Sequence, residues 1–272
     1  MNILITGATG SLGTVLVDIC LNRGYHPIGI GHSEKRTKEL ELKYPQVPIY
    51  AVDISTRDDL DKIVNKHNID YIVHTAAMKH IGICEKNPTR AVDVNINGSR
   101  NIIDVAYNNR VKNVIAVSTD KAINPSCVYG STKLIMEKLM LENDYSVIQG
   151  VNFFFSSGSV LDLWQKCKDK SQPIKININN TVRYFVDAQD VAVKILDNLD
   201  TRGQYIHLDT CYRMHLHDLA KGFCEYHNYD NTDSYHPISA EKIIEEIPEE
   251  IHVKNMGVSD IKLILEKYYN GH

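Results

Sequence analysis

The sequence predicts an α/β protein built on a doubly wound parallel sheet, with a small C-terminal lobe after it. Three observations predict this: short β-rich apolar runs alternate with longer segments of helical period through the first half, a glycine turn follows the first run at once, and the alternation loosens after residue 150. Strand, helix, strand in sequence means βαβ units, because parallel strands need a crossover that a helix supplies. Such sheets take their ligands at the carboxyl ends of the strands.

The elements follow in order. Strands are predicted at residues 2–6, 26–31, 49–52, 71–74, 113–118 and 145–150, and helices at 12–23, 34–43, 56–66, 88–108 and 127–142. The second half reads as a helix at 160–168, short strands at 174–178 and 183–186, a helix at 188–198, a strand at 204–208 and helices at 217–227 and 259–269. This divides the chain into a dinucleotide-binding domain at 1–150 and a substrate-binding lobe at 151–272, partly interleaved with it. The acidic run Glu245, Glu246, Glu249 and Glu250 reads as a solvated helix face.

Composition narrows the function. A chain of 272 residues, 43% hydrophobic, buries a substantial core, and a formal charge of −4 excludes the basic excess that nucleic acid or an anionic membrane calls for. No apolar run is long enough to span a bilayer, and the N-terminus enters a strand at once, with no signal-peptide pattern before it. Six scattered cysteines without a C-x-x-C pair argue against a disulfide framework or a zinc knuckle. A cytoplasmic protein is the expectation, with no metal.

Directly after the first strand comes Gly7-Ala8-Thr9-Gly10-Ser11-Leu12-Gly13, a G-x-x-G-x-x-G turn opening a helix. Glycines there let the backbone approach a pyrophosphate, and the helix start directs unpaired N–H groups at it. Set between a strand and a helix, the turn reads as the start of a Rossmann-like dinucleotide site rather than a plain tight turn. The second strand ends without an acid at its tip and continues into Ser33, Lys35 and Arg36, which favours a 2′-phosphate and hence NADP; Glu34 keeps NAD open. Asp53-Ile54, after the third strand, is placed to bond adenine, with a helix cap as the rival role.

At the end of the fifth strand Tyr129 and Lys133 stand four apart, on one face of a helix, where an ammonium beside a phenol makes the phenol a usable base. Among fifteen tyrosines this is the only Y-x-x-x-K pair, and its position after the fifth strand gives it weight.

The run from Ser118 to Lys133, S-T-D-K-A-x-x-P-x-x-x-Y-G-x-T-K, resembles the extended short-chain dehydrogenase/reductases, and within them the UDP-N-acetylglucosamine 4,6-dehydratase and CapD-like polysaccharide group. Thr6 to Gly13, His74 to His80 and Asn95 to Gly98 carry the resemblance further. It implies a lyase acting on a nucleotide sugar, UDP-GlcNAc first: C4 is oxidised, the C5 proton leaves to a base, an acid protonates the C6 hydroxyl as it departs, and hydride returns to C6. Lys121 is then the candidate base and Asp120 the candidate acid, with Thr119 bonding sugar hydroxyls. Tyr129, where retaining members often carry Met, implies C5 inversion. Ala76, Ala77, Lys79 and Asn95 are implied at the cofactor, and Lys79, His80, Asn152 and Arg183 at the substrate, Arg183 as a diphosphate contact. A homo-oligomer is implied as well, through the helical segment 84–110.

The match departs at Gln149, where relatives carry arginine, at Phe155-Ser156-Ser157-Gly158-Ser159, where an arginine is again missing, and at His236 to Lys242. Two positive charges expected to face the diphosphate are thereby absent. A same-fold enzyme that stops at a 5,6-alkene, a 4-epimerase, or a non-catalytic NADP-binding sensor or scaffold are the alternatives.

Overall fold

The computed structural model describes residues 1–177, 181–235 and 245–270. Contacts divide the chain into two units: Met1–Gly150 with Ala188–Leu208, and Val151–Asp187 with Asp209–His272. The segment returning to the first unit starts within the expected lobe.

The first unit is a parallel sheet with helices. Its strands are β1 (Asn2–Thr6), β2 (His26–Gly31), β3 (Ile49–Ala51), β4 (Tyr71–His74), β5 (Asn113–Thr119) and β6 (Ser146–Gly150). Together with Tyr205–Ile206 they give the order Tyr205–Ile206, β6, β5, β4, β1, β2, β3. The chain reverses its winding between β1 and β4, so the strand-end crevice opens there. Its helices are α1 (Ser11–Asn22), α2 (Glu34–Lys43), α3 (Arg57–His67), α4 (Ile81–Lys86), α5 (Pro88–Val92), α6 (Gly98–Asn108) and α7 (Val128–Glu142). The expected helix at 88–108 is divided by a π-helical turn at Asp93–Asn97, and α4 ahead of it was not read from the sequence.

Pleating sends successive side chains of a strand to opposite faces. Leu4 of β1 joins Ile72, Ala116 and Val147 under Leu60, Ile102, Met136 and Met140 of the α3, α6 and α7 layer. On α1, Leu16, Val17 and Cys20 are buried, and α1 packs against helix Ala188–Asp197, which buries Val191, Ala192 and Ile195. The returning segment is tied down by Asn113, whose amide donates to the Leu199 and Thr201 carbonyls at 2.8 and 2.5 Å and whose Oδ1 accepts from Val114 N.

The second unit holds a four-stranded sheet in the order His252–Asn255, Thr210–His215, Val182–Val186, Asn152–Phe153, and a pair of strands, Thr232–Tyr235 with Ile174–Asn177. Four of these strands, at 152–153, 210–215, 232–235 and 252–255, were not expected. Its core gathers Trp164, Phe185, Phe223, Leu219 and Leu265. The acidic run is not a helix face: residues 245–250 are irregular, Glu246, Glu249 and Glu250 are exposed, and the Glu245 side chain is 4% exposed. The segment His236 to Lys242 lies outside the described residues.

Replacing Asn113 by Ala leaves the buried Leu199 carbonyl without its donor and the Thr201 carbonyl with Ser146 Oγ alone. The expected cost is about 2 to 3 kcal/mol, read as a lower urea midpoint; an unchanged midpoint would show that the returning segment is held by other means.

Candidate active site

The glycine turn is shaped by contact. Gly7 has φ +69, and a Cβ there would lie 2.7 Å from Thr75 Oγ1 and 2.8 Å from Ala76 N, so glycine alone lets this turn meet the loop after β4. Gly13 presses on the Gly7 carbonyl and the Ala8 backbone, which sets α1 tight against its strand. A Cβ on Gly10 would meet only the Gly7 carbonyl, at 3.1 Å. Gly10 is the N-cap of α1, with no side-chain cap and no acid in the first turn, so the helix start keeps its N–H groups and positive dipole end for an anion. Ser11 opens that helix, and Leu12, 5% exposed, packs into the core. Thr9 lies against the end of β2, where a Cβ on Gly31 would come within 2.7 Å of its hydroxyl.

The loops after β2 and β4 bring basic groups together. Burial lowers the His80 pKa, and the positive charges of Lys79 and Arg36 lower it further, which puts these three side chains in one locale. Ser33 N-caps α2 by accepting from Arg36 N, and Lys35 is exposed with Glu39 4.0 Å away. Asp53 is not the cap of α3, since Thr56 is its N-cap; Asp53 accepts from Ser55 N and Oγ and pairs with Arg90. Burial raises its pKa, but those bonds and Arg90 outweigh this and hold the carboxyl below its ordinary value. Ile54 is buried, and its carbonyl accepts from Asn101. Ala76 N donates to Thr6 Oγ1, and Ala77 is half-buried in the same loop. Asn95, fully buried, spends its side chain on the Met78 backbone, accepting from its N–H and donating to its carbonyl, and on Thr132 Oγ1. It positions the loop after β4 against α7, so any cofactor contact would come through that loop and not through its amide.

The chemistry-bearing residues meet at the end of β5. A 3₁₀ turn, Asp120–Ala122, follows the strand, and Thr119 caps it by accepting from Lys121 N. Asp120 is 1% exposed and Lys121 is buried beside it, with Nζ 3.0 Å from Oδ1. The Thr119 hydroxyl donates to Asp120 Oδ1 at 2.8 Å and also lies in hydrogen-bond reach of the Tyr129 phenol. Glycine makes this assembly possible: a Cβ on Gly130 would collide with the Lys121 carbonyl. Cys127 caps α7, accepting from Gly130 N through its sulfur, and Glu85 of α4 accepts from Val128 N at 2.7 Å.

Electrostatics here differ from the sequence expectation. Burial and then the Asp120 carboxylate push the Tyr129 phenol well above its ordinary pKa; Thr119 lowers it, and Lys133 is not among the leading influences. Lys133, 2% exposed, is itself pushed down to about 8 by burial, with Glu137 acting in the opposite direction. His74 accepts burial's full effect, with Lys133 adding to it, and falls to about 3; neutral, it bridges Thr6 Oγ1 and Ser99 Oγ at 2.7 and 3.0 Å. Ser118 Oγ, buried beside Thr119 on β5, has no hydrogen-bond partner among the described residues. An orphaned hydroxyl at the strand end, an uncapped helix start and glycines shaped for close approach all fit a bound dinucleotide.

Two expected substrate residues, Arg183 and Asn152, have partners within the protein. The Arg183 guanidinium lies 3.4 Å from Glu245 Oε1 and donates to the Val182 carbonyl. The Asn152 amide donates to the Tyr184 carbonyl and to Glu245. Gln149 points into the protein, donating to Glu137 Oε1 at 3.1 Å, so its position does not face a diphosphate. Sequence reading missed Glu137, although it stands one turn beyond Tyr129 and Lys133 on the same stripe of α7. A carboxylate on that stripe was the available signal. Among the described residues no cluster of His, Cys, Asp and Glu suits a metal, and no helix is long and apolar enough to cross a membrane.

This sheet, with an acid–amine pair beside a Tyr–Lys pair at one strand end, defines an extended short-chain dehydrogenase/reductase. The chain belongs to a family described as polysaccharide biosynthesis proteins, which matches residues 3–260. It is 32% identical over 235 residues to an inverting UDP-N-acetylglucosamine 4,6-dehydratase of Campylobacter jejuni, covering 80% of this chain and 70% of that protein. A UDP-glucose 4-epimerase of Rickettsia conorii is 29% identical over 69% of this chain and 59% of its own length. Among solved structures, the dTDP-glucose 4,6-dehydratase DesIV from Streptomyces venezuelae superposes with a TM-score of 0.80 at 16% identity, covering 95% of this chain and 89% of that one. The fold and the resemblance read from the motifs are borne out, and the chain is of the nucleotide-sugar dehydratase or epimerase type.

Gly130→Ala tests the assembly of the site. Its Cβ forces α7 away from Lys121, so turnover should fall at least tenfold while dinucleotide binding, measured by fluorescence titration, changes little; equal loss of both would mean that the glycine serves the fold as a whole.

Proposed function

We propose that this chain is an NADP-dependent UDP-N-acetylhexosamine 4,6-dehydratase, with UDP-GlcNAc as its first candidate substrate and inversion at C5. The observation that carries the reading is the buried Asp120–Lys121 pair beside Thr119 and Tyr129. An epimerase needs a base for one hydroxyl; a dehydratase also needs a base for C5–H and an acid for the C6 hydroxyl. A touching carboxylate and ammonium hold one proton between them. When that proton sits on Asp120, Lys121 is a neutral amine and Asp120 a carboxylic acid, which are the two forms that elimination requires.

The residues then divide the work. Tyr129 takes the proton of the C4 hydroxyl, and the Lys133 ammonium stabilises the phenolate. Lys121 removes the C5 proton, made acidic by the neighbouring carbonyl, and Asp120 protonates the departing C6 hydroxyl. Thr119, between Asp120 and Tyr129, orients the sugar. A bound nicotinamide would supply the hydride chemistry between C4 and C6. Gly7, Thr9, Gly10, Ser11, Leu12 and Gly13 would hold its pyrophosphate, with Ala76 and Ala77 in the loop beside them. Arg36 with Ser33 and Lys35 would hold a 2′-phosphate, and Lys79 and His80 supply further positive charge. The locale of Arg36, Lys79 and His80 supports NADP over NAD. An inverting relative at 32% identity supports the stereochemistry.

The test is a panel of nucleotide sugars read by mass spectrometry for loss of water, followed by NMR of the UDP-GlcNAc product formed in deuterated water. A 4-keto-6-deoxy sugar deuterated at C5 is expected. Lys121→Ala and Asp120→Asn should each lower its formation by about 10² to 10⁴, and Tyr129→Phe should abolish it. Interconversion of C4 epimers that survives Lys121→Ala would point to an epimerase instead.

A further inference from the structure

We propose that Glu137 is a positioning residue of the redox pair, keeping the Lys133 side chain charged through a carboxylate that Gln149 and Tyr205 clamp. The proposal rests on the assignment of Lys133 to that pair. Residues 129, 133 and 137 stand on successive turns of one face of α7. Lys133 is 2% exposed and Glu137 1% exposed. The Glu137 carboxylate accepts from Gln149 Nε2 at 3.1 Å through Oε1 and from the Tyr205 hydroxyl at 3.0 Å through Oε2. Gln149 lies on β6 and Tyr205 on the strand beyond it, so two sheet strands fix the carboxylate under the helix.

Both clamping donors are neutral. Among the described residues no lysine, arginine or histidine lies within ion-pair distance of Glu137, and a buried carboxylate without a positive partner is costly. The Lys133 ammonium, one turn away, is the cation that acts with it. Lys133 stands in the same need, because burial drives its ammonium toward the neutral amine, which would no longer stabilise a phenolate. The titratable groups around Lys133 leave Glu137 as its one counter-charge. His74, facing it from β4, is neutral, and Asp120, on the 3₁₀ turn, pairs with Lys121 and acts on Tyr129. Tyr205 is driven above its ordinary range by burial and by Glu137, and stays a neutral donor.

Lys133 loses its proton as pH rises through about 8. Activity that needs the ammonium is therefore present below that pH and lost above it. Full-length protein with ¹³Cε-labelled lysine, the Lys133 signal assigned with Lys133→Arg, is titrated from neutral to alkaline pH. Glu137→Gln removes the counter-charge and should lower the Lys133 midpoint by about one pH unit or more. The alkaline limb of kcat/KM should move down with it. Tyr205→Phe removes one clamp, leaves more of the carboxylate's charge to Lys133, and should raise the midpoint. A folded Glu137→Gln protein whose Lys133 midpoint is unchanged overturns the proposal. Should Glu137→Gln fail to fold, Tyr205→Phe decides: an upward shift supports the proposal and an unmoved midpoint overturns it. If the wild-type protein dehydrates no nucleotide sugar, the functional reading fails, while the lysine titration still decides whether Glu137 keeps Lys133 charged.

Discussion

The first turn of α7 lies against the turn that follows β5, and the site depends on that approach. A Cβ at Gly130 would overlap the Lys121 carbonyl, so the distance between helix and strand end is set by the absence of a side chain. The consequence is chemical. Thr119 ends the strand, Asp120 and Lys121 form the turn, and Tyr129 stands on the helix, yet the three buried residues and the half-buried Tyr129 meet in one region. Neighbouring elements brace the approach: Glu85 caps α7 from α4, and Asn95 joins the loop after β4 to Thr132. Asn95 lies within the π-helical turn at Asp93–Asn97, where the irregular winding coincides with its inward amide.

Legibility followed the range of the interactions. The alternation of strands and helices is local and periodic, so the first sheet was readable element by element, and the glycine turn was readable because its spacing is fixed by the backbone. In the second unit the signal fails. Strand Thr210–His215 buries only Cys211 and Met214 fully, and strands of two to four residues leave too short a pattern for a period of two. The site divided in the same way. Asp120, Lys121, Tyr129 and Lys133 lie within fourteen residues of chain, and their setting was visible. Arg183 and Asn152 meet Glu245 across 62 and 93 residues respectively, and no local pattern announces such a partner. The surroundings of Gln149 were hidden for a related reason: the resemblance marked it only as the place of a missing arginine, and the inward carboxylate of Glu137 that it meets lies on another element.

Burial also sets the proton inventory of the site. Asp120, Lys121, Lys133 and Glu137 are two acids and two bases, all nearly or fully enclosed, with His74 neutral among them. Isolated charges in such a region are costly, whereas paired ones with satisfied hydrogen bonds are tolerated. The pairing is by function as well as by sign. Asp120 and Lys121 touch, so a proton can pass between them without changing the total charge. Lys133 and Glu137 do not touch; the carboxylate is engaged from the sheet side by Gln149 and Tyr205. An ammonium in direct contact with a carboxylate would spend its charge there. In the proposed mechanism Lys133, one turn away from that carboxylate, keeps its charge for the phenol.

On the proposed mechanism, that separation makes the high Tyr129 pKa compatible with a role as base. In the enclosed site the phenol is neutral because burial and Asp120 both oppose its ionisation. Two changes reverse the balance. Transfer of the shared proton onto Asp120 removes the carboxylate's repulsion, and the Lys133 ammonium remains in place to receive the phenolate's charge. The first change also frees Lys121 as an amine. In the proposed mechanism, proton transfer within the Asp120–Lys121 pair readies the elimination across C5 and C6 and lowers the cost of ionising Tyr129, whose own proton leaves to solvent before the phenolate acts on the C4 hydroxyl. An acid–amine pair serves better here than two independent residues because its total charge is unchanged by the transfer, which an enclosed site of low polarity favours.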